Sequence, residues 1–488
     1  MSTIDEIPLQ LELVRDLLKQ RVGLGQSFDA MMREMNYGGR RTGLFYLNGF
    51  VKDQVLTLIM SRLSQLQSEV LRTDALQTLF HYYIAHVQVE KVDTMTDVIN
   101  KVLAGSSALF IEGENAALLI DAKSLPQRAP EESSIERVVR GARDGFIETL
   151  LTNVTLVRRR LRDPGLYFEM QKVGRRTQTD VAIAYIKDIA DPSLVQTVKD
   201  KIESLDVDGI AMADKELEEA IVGKGWNPFP SVRYTERPDV AAYHLLEGHI
   251  CLFVDTSPSV IILPTTFFHH VQHAEEYRQT PFVGTYLRWV RFFGIFASLF
   301  LLPLWFLFVA HPELKPAFLA FVGPQQPGSI PILAQFLLVE IGVDLMRLAA
   351  IHTPTPLATA LGLIAAILIG EIAIKAGLFV NEVILYMAVA AVGMFATPSY
   401  ELGLANRIVR IALLISVACW GLPGFVVGVT LITLMLILQR SYHTPYLWPF
   451  IPFHPRALLD ILIRRPFLSH KYRAEITKPQ DRTRMPRS

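Results

Sequence analysis

The chain has 488 residues, of which half are apolar and only 20% are charged, with a formal net charge of zero. Soluble domains carry about a quarter charged residues, so the composition leans towards a membrane protein. Zero net charge argues against a general nucleic-acid binder, and two cysteines, Cys251 and Cys419, exclude a disulfide framework and a Cys-rich metal centre.

Residues 1–20 are acidic early and hold no apolar stretch resembling a secretory signal. The large leading region is therefore expected to stay in the cytoplasm. Helical spacing predicts a helix over 9–20. Residues 42–51 read as a strand that ends at an Asn48-Gly49 turn, followed by an amphipathic helix over 54–67. Residues 106–122 read as a hairpin turned at 112–115. A polar, proline-bearing stretch at 124–134 sets a domain boundary.

The second unit is expected to open with a helix over 144–162 that stops at Asp163-Pro164. Strands at 166–173 and 180–186 flank a turn at 174–177. Helices follow at 192–204 and 239–246, and a last hairpin pairs 248–254 with 259–263. Helices and strands alternate, so the fold class is α/β or α+β in two lobes. The two halves share a rough plan without a strict sequence repeat.

From 292 onward the text changes. Residues 292–310 hold no charge over 19 positions, about 28 Å of helix with Pro303 as a kink. Residues 330–351 are apolar but carry Glu340, Asp344 and Arg347, and 357–380 carry Glu371 and Lys375. Residues 383–397 form a shorter run. Residues 411–438 give 28 uncharged positions, broken by Gly421-Leu422-Pro423-Gly424, as one broken helix or a tight helical hairpin. Four to six crossings are expected in an all-α polytopic membrane domain. Residues 456–488 hold nine Lys or Arg against three Asp or Glu. That bias, with Arg288 and Arg291, puts both termini on the cytoplasmic side. The expected domains are 1–134, 135–285, 286–440 and a basic tail at 441–488.

The sharpest candidate site is the intramembrane set. Glu340 and Asp344 are four apart and Arg347 three further on, so all lie near one helical face. Glu371 and Lys375 repeat the four-residue spacing. A charge at mid-bilayer costs on the order of 3 kcal/mol, so such groups pair with one another or face water. They fit an ion path, or internal salt bridges between helices. His269, His270 and His273 fall in one stretch, and His269 and His273 have an i, i+4 spacing a metal could use, but there is no HExxH frame and the stretch reads better as an amphipathic helix before the membrane. Glycine pairs at Gly23/Gly25, Gly141/Gly145 and Gly223/Gly225 fail the phosphate-loop patterns. Neither an enzyme nor a cofactor is expected, and nothing points to nucleic acid as a partner.

Four stretches in order resemble a known family. They are 141–146 (GARDGF), 153–163 (NVTLVRRRLRD), 235–239 (TERPD) and 258–264. The chain resembles the GerA family of spore germination proteins from about residue 20 to its end. Residues 22–29, 43–53, 446–452 and 479–484 resemble, within it, a branch of sporulation proteins. The resemblance implies a spore inner-membrane protein with a soluble two-lobed region and a membrane domain. It implies a homo-oligomer that conducts ions early in germination and partners of the B and C subunit type or a small membrane protein. A non-conducting scaffold, a nutrient-sensing receptor A subunit and a transporter are the alternatives. Arg143, Asp144, Glu236, Arg237 and Asp239 are the motif positions expected to make the important polar contacts.

Overall fold

The structure is a computed structural model that describes residues 5–72, 74–123, 136, 138–223, 226–319, 321–326, 328–352 and 372–485. The expected boundary at 124–134 and the carboxylate Glu371 lie outside these.

The leading half is two lobes built to one plan. In the first, β1 (Ala30–Tyr37), β2 (Arg40–Leu47), β3 (Val89–Val92), β4 (Ser107–Ile111) and β5 (Ala117–Ile120) form an antiparallel sheet of order β1-β2-β4-β5-β3. In the second, β6 (Leu166–Val173), β7 (Thr179–Ile186), β8 (Arg233–Thr235), β9 (Ile250–Val254) and β10 (Val260–Leu263) take the order β6-β7-β9-β10-β8. The permutation is the same. Both lobes open with a helix, Leu11–Val22 and Leu150–Arg160, and insert another between the third and fourth strands, Met95–Leu103 and Pro238–Leu246.

Each sheet is covered on both faces. In the first lobe one core gathers Leu11, Val14, Phe45 and Val102, while another gathers Leu56, Ile59, Leu109 and Leu118. The second lobe repeats this with Leu156, Phe168 and Phe253 on one face and Val198, Leu217, Ile183 and Ile261 on the other. A strand buried on both faces loses alternation. That is why SALFI, ALLI, ICLFV and VIIL, apolar but for Ser107, are buried at every position.

Several expected elements shift. The 144–162 helix starts only at Leu150, because 144–149 runs as an extended strap. Phe146 N–H donates to the Glu236 carbonyl, and Asn153 bonds both the N–H and the carbonyl of Ile147. The Met-rich β1, the short β3 and β8, and the Met95–Leu103 and Asp214–Val222 helices had no expected counterpart.

The helical half packs against the second lobe. Pro281–Ala310 and Tyr400–Leu438 are long and apolar enough to cross a membrane, with mean hydropathies of 2.4 and 2.3. Ile332–His352 and the shorter Asn381–Phe395 lie between these two in the chain. Tyr400–Leu438 is a hairpin. Gly421 adopts φ 60°, ψ −135°, and beyond it the chain turns back. Ser416 Oγ donates to the Gly424 carbonyl at 2.8 Å, and a Cβ placed on Gly428 would meet Leu413. At about 1.5 Å per residue the arms, 400–420 and 422–438, run about 30 and 25 Å.

Both arms end at the second lobe. Ser399 N–H donates to the His270 carbonyl. Gln439 bonds the Phe229 carbonyl at 3.1 Å and Asn227 at 3.0 Å. The tail beyond is a strap rather than a free basic tail. Gln480 bonds the carbonyls of Lys187 and Ala190, Thr477 that of Glu247, and Arg473 that of Leu246.

Candidate functional site

Three helical elements converge on one buried charge cluster. Glu340, from Ile332–His352, is 1% exposed. Arg410 sets Nε and Nη2 each 2.6 Å from its Oε1, and Arg407 Nε lies 2.9 Å from its Oε2. Arg407 also contacts the Glu340 carbonyl and Asp344. Asp344 in turn pairs with Arg347 at 2.8 Å, and Arg347 lies over the Tyr400 ring.

The third element is the wide turn at Ala297–Leu301 inside Pro281–Ala310. In its i→i+5 register the Ser298 carbonyl faces position 303. That position is Pro303, which has no N–H to give. Arg410 Nη1 takes the freed carbonyl. Pro303 therefore does more than bend the helix: it leaves an acceptor for a buried guanidinium.

The expected site residues are thus only partly together. Glu340, Asp344 and Arg347 share the cluster. Glu340 faces no lumen within one chain, because two guanidiniums enclose it. Asp344 reaches the rim, its side chain 38% exposed. Lys375 ends the short Ala373–Lys375 turn and is exposed. Arg407 and Arg410 were not expected. The charge-free run starts at 411, so both arginines look like flanking residues by composition. Their i, i+3 spacing, which puts both on one face, was the available signal.

The motif positions tie the second lobe to the base of the helical half. Arg237, almost fully buried, is bidentate to Asp239 at 3.0 and 2.9 Å and caps the carbonyls of Glu136 and Ala142. Asp239 also receives Arg278 at 2.8 Å. These two arginines hold its carboxyl below the ordinary range against the opposing effect of burial. Asp144 pairs with Arg160 at 2.6 Å. Glu236 offers its carbonyl to Phe146, and Arg143 is exposed. Within the 153–163 stretch, Arg158 bridges the lobes, bidentate to the buried Asp29 at 2.9 and 3.1 Å.

Arg288 and Arg291 are not free flanking charges. Both pair with the fully buried Glu276, Arg288 at 2.7 Å. Arg288 also donates to the carbonyls of Asp460 and Ile461 at 2.8 and 2.7 Å.

His269 packs with His244 and His249, ring centroids 5.0 to 5.8 Å apart. His244 and His249 bond the Val240 and Pro264 carbonyls through Nδ1, and Thr266 N–H donates to His269 Nδ1. Burial pushes His249 down to about 4 and His270 to about 3, so both are neutral at pH 7. Among the described residues no His, Cys, Asp or Glu group is arranged to hold a metal ion.

The sequence matches the family model described as Bacillus/Clostridium GerA spore germination protein over residues 16–476. It is 51% identical to Stage V sporulation protein AF of Bacillus subtilis (strain 168), over 96% of each chain. It is 29% identical to Spore germination protein B1 of the same organism, over 98% of this chain and 99% of that one. The crystal structure of the N-terminal domain of the A subunit of the Bacillus megaterium spore germinant receptor GerK3 aligns with 54% of this chain and 98% of that one. Its identity is 28% and its TM-score 0.43. The chain belongs to the GerA family of spore germination proteins.

Proposed function

We propose that this chain is a membrane subunit of an oligomeric ion channel that contributes to ion release in spore germination, amplifying or relaying a germinant-receptor signal. One observation supports the conducting role: a cluster of five charged groups lies among predominantly apolar helices, and one of its carboxylates, Asp344, opens at the rim. Charges at such depth mark ion paths or the elements that gate them. Glu340 anchors the cluster through Arg407 and Arg410. Asp344 and Arg347, with Glu371 and Lys375, line the path between copies. Repeated around an axis, Asp344 gives a ring of carboxylates, which favours cations.

The subunit works in the spore inner membrane, with the two lobes and the C-terminal strap on the cytoplasmic, core-facing side. Both arms of the hairpin ending at the second lobe support that topology. Its partners are further copies of itself, B- or C-type subunits or a small membrane protein, and the bilayer. No catalysis, cofactor or nucleic acid enters this role.

The enclosure of Glu340 by two arginines of the same chain supports a second reading, a non-conducting scaffold or a nutrient-sensing receptor A subunit. Reconstituting the full chain in potassium-loaded vesicles separates the two. Efflux above that of empty vesicles is expected for the channel. Efflux that stays at background, with or without candidate partners, rejects it.

A further inference from the structure

We propose that a cavity between the second lobe, the base of Pro281–Ala310 and the C-terminal strap binds a phosphate-bearing anion. The cavity is about 600 Å³, within the size range of small-ligand sites. Its walls mix aromatic surface, from Tyr243, Phe268, Tyr277 and Trp448, with basic groups.

The charge balance selects the ligand. Four lining arginines have carboxylate partners: Arg288 with Glu276, Arg465 with Asp460, Arg473 with Asp481 and Arg484 with Glu247. Arg456, Arg464 and Lys471 have none among the described residues. They face one remaining acid, Glu475. Three cations against one acid leave an excess of positive charge, which favours an anion with several acceptor oxygens, as a phosphoryl group has, over a neutral ligand.

The interior also holds donors with nothing to donate to. Arg288 is 1% exposed. Its Nε and Nη1 are engaged, but Nη2 has no partner, and Arg464 Nε has none either. A buried guanidinium N–H left unpaired is unfavourable, and a phosphoryl oxygen would satisfy it. The strap supplies most of the basic wall, so the site exists only when the strap is docked. This inference stands independently of ion conduction.

A phospholipid headgroup and a soluble phosphate share this chemistry, so the experiment has an arm for each. The full chain in non-ionic detergent is unfolded thermally with inorganic phosphate, sulfate and chloride at equal ionic strength. It is also unfolded with short-chain phosphatidylglycerol against phosphatidylcholine. The expected result is a rise in unfolding temperature, above that with chloride or phosphatidylcholine, for at least one phosphate-bearing probe. A rise with inorganic phosphate identifies a soluble anion, and a rise with phosphatidylglycerol alone identifies a headgroup. R456Q/K471Q replaces two exposed residues, so the unliganded unfolding temperature should hold. The apparent affinity should fall about tenfold or more. If no probe exceeds the chloride and phosphatidylcholine controls, or if the double variant responds as the parent does, the site is refuted.

Discussion

Arg410 sets two guanidinium nitrogens 2.6 Å from a single oxygen of Glu340, while its third nitrogen holds the Ser298 carbonyl. One side chain thus fastens three helical elements. Removing one partner of a buried pair costs about 3–5 kcal/mol, because the other charge is left uncompensated. Arg410→Leu should therefore lower the amount of protein in the membrane and its unfolding temperature in detergent. Arg410→Lys keeps the charge but not the fork, and should fall between the two.

The lobe interface offers a cleaner test, away from the membrane. Arg158 and Asp29 are both almost fully buried and bidentate. Ser27 Oγ donates to Asp29, and Phe168 N–H donates to Ser27 Oγ. Asp29→Asn should cost about 3 kcal/mol or more in chemical denaturation, since it leaves the guanidinium unpaired. Asp29→Leu with Arg158→Leu should recover part of that loss. A loss from the double change equal to the sum of the two single losses would mean that the pair contributes nothing specific.

What could be read from residues was set by how local the cause is. The hairpin at 106–122 and the break at 421–424 are local, and the structure holds both, the second as a true turn-back at Gly421. The strands β3 and β8 are short and half-polar, and only their neighbours β5 and β10 make them strands. The shared strand order of the two lobes left no sequence repeat to find, since it is a property of pairing rather than of residue identity. Glu340 and Asp344 stood out because charge in an apolar run is rare. Their partners did not, because the pairing spans 63 to 70 positions.

Gly421 should not tolerate a side chain. Its φ of 60° with ψ of −135° suits glycine alone, and a Cβ there would lie 2.4 Å from the His311 ring. Gly421→Ala should abolish accumulation of folded protein. Gly377→Ala is the control: φ is 70°, but nothing lies within 4 Å, so only a mild loss of about 1 kcal/mol is expected from the left-handed backbone. Accumulation is read by membrane fractionation and size-exclusion chromatography.

Acid should destabilise the protein before it titrates the carboxylates. Burial lowers His249 to about 4 and His270 to about 3, against 6.5 for a free histidine. Between these values the unfolded chain binds protons that the folded chain refuses, so stability rises with pH. The contribution is full above about 6.5 and is lost as pH falls towards 4. At pH 5 one such histidine costs about 2 kcal/mol. Unfolding temperatures from pH 7.5 to 5 should drop accordingly. His270→Leu should flatten the drop, because neither ring nitrogen of His270 has a bonding partner to lose.

In the proposed channel, Asp344 at the open edge of the charge cluster faces the ion path while Glu340 holds the cluster shut. Potassium efflux from vesicles containing the full chain, compared between the parent and Asp344→Asn at matched protein levels, tests it most directly. Asp344→Asn keeps the shape and removes the charge from a side chain 38% exposed, so the fold should survive. Efflux is expected to fall several-fold or more, with selectivity for cations over anions weakened. Unchanged efflux and selectivity from a normally folded Asp344→Asn protein would contradict it.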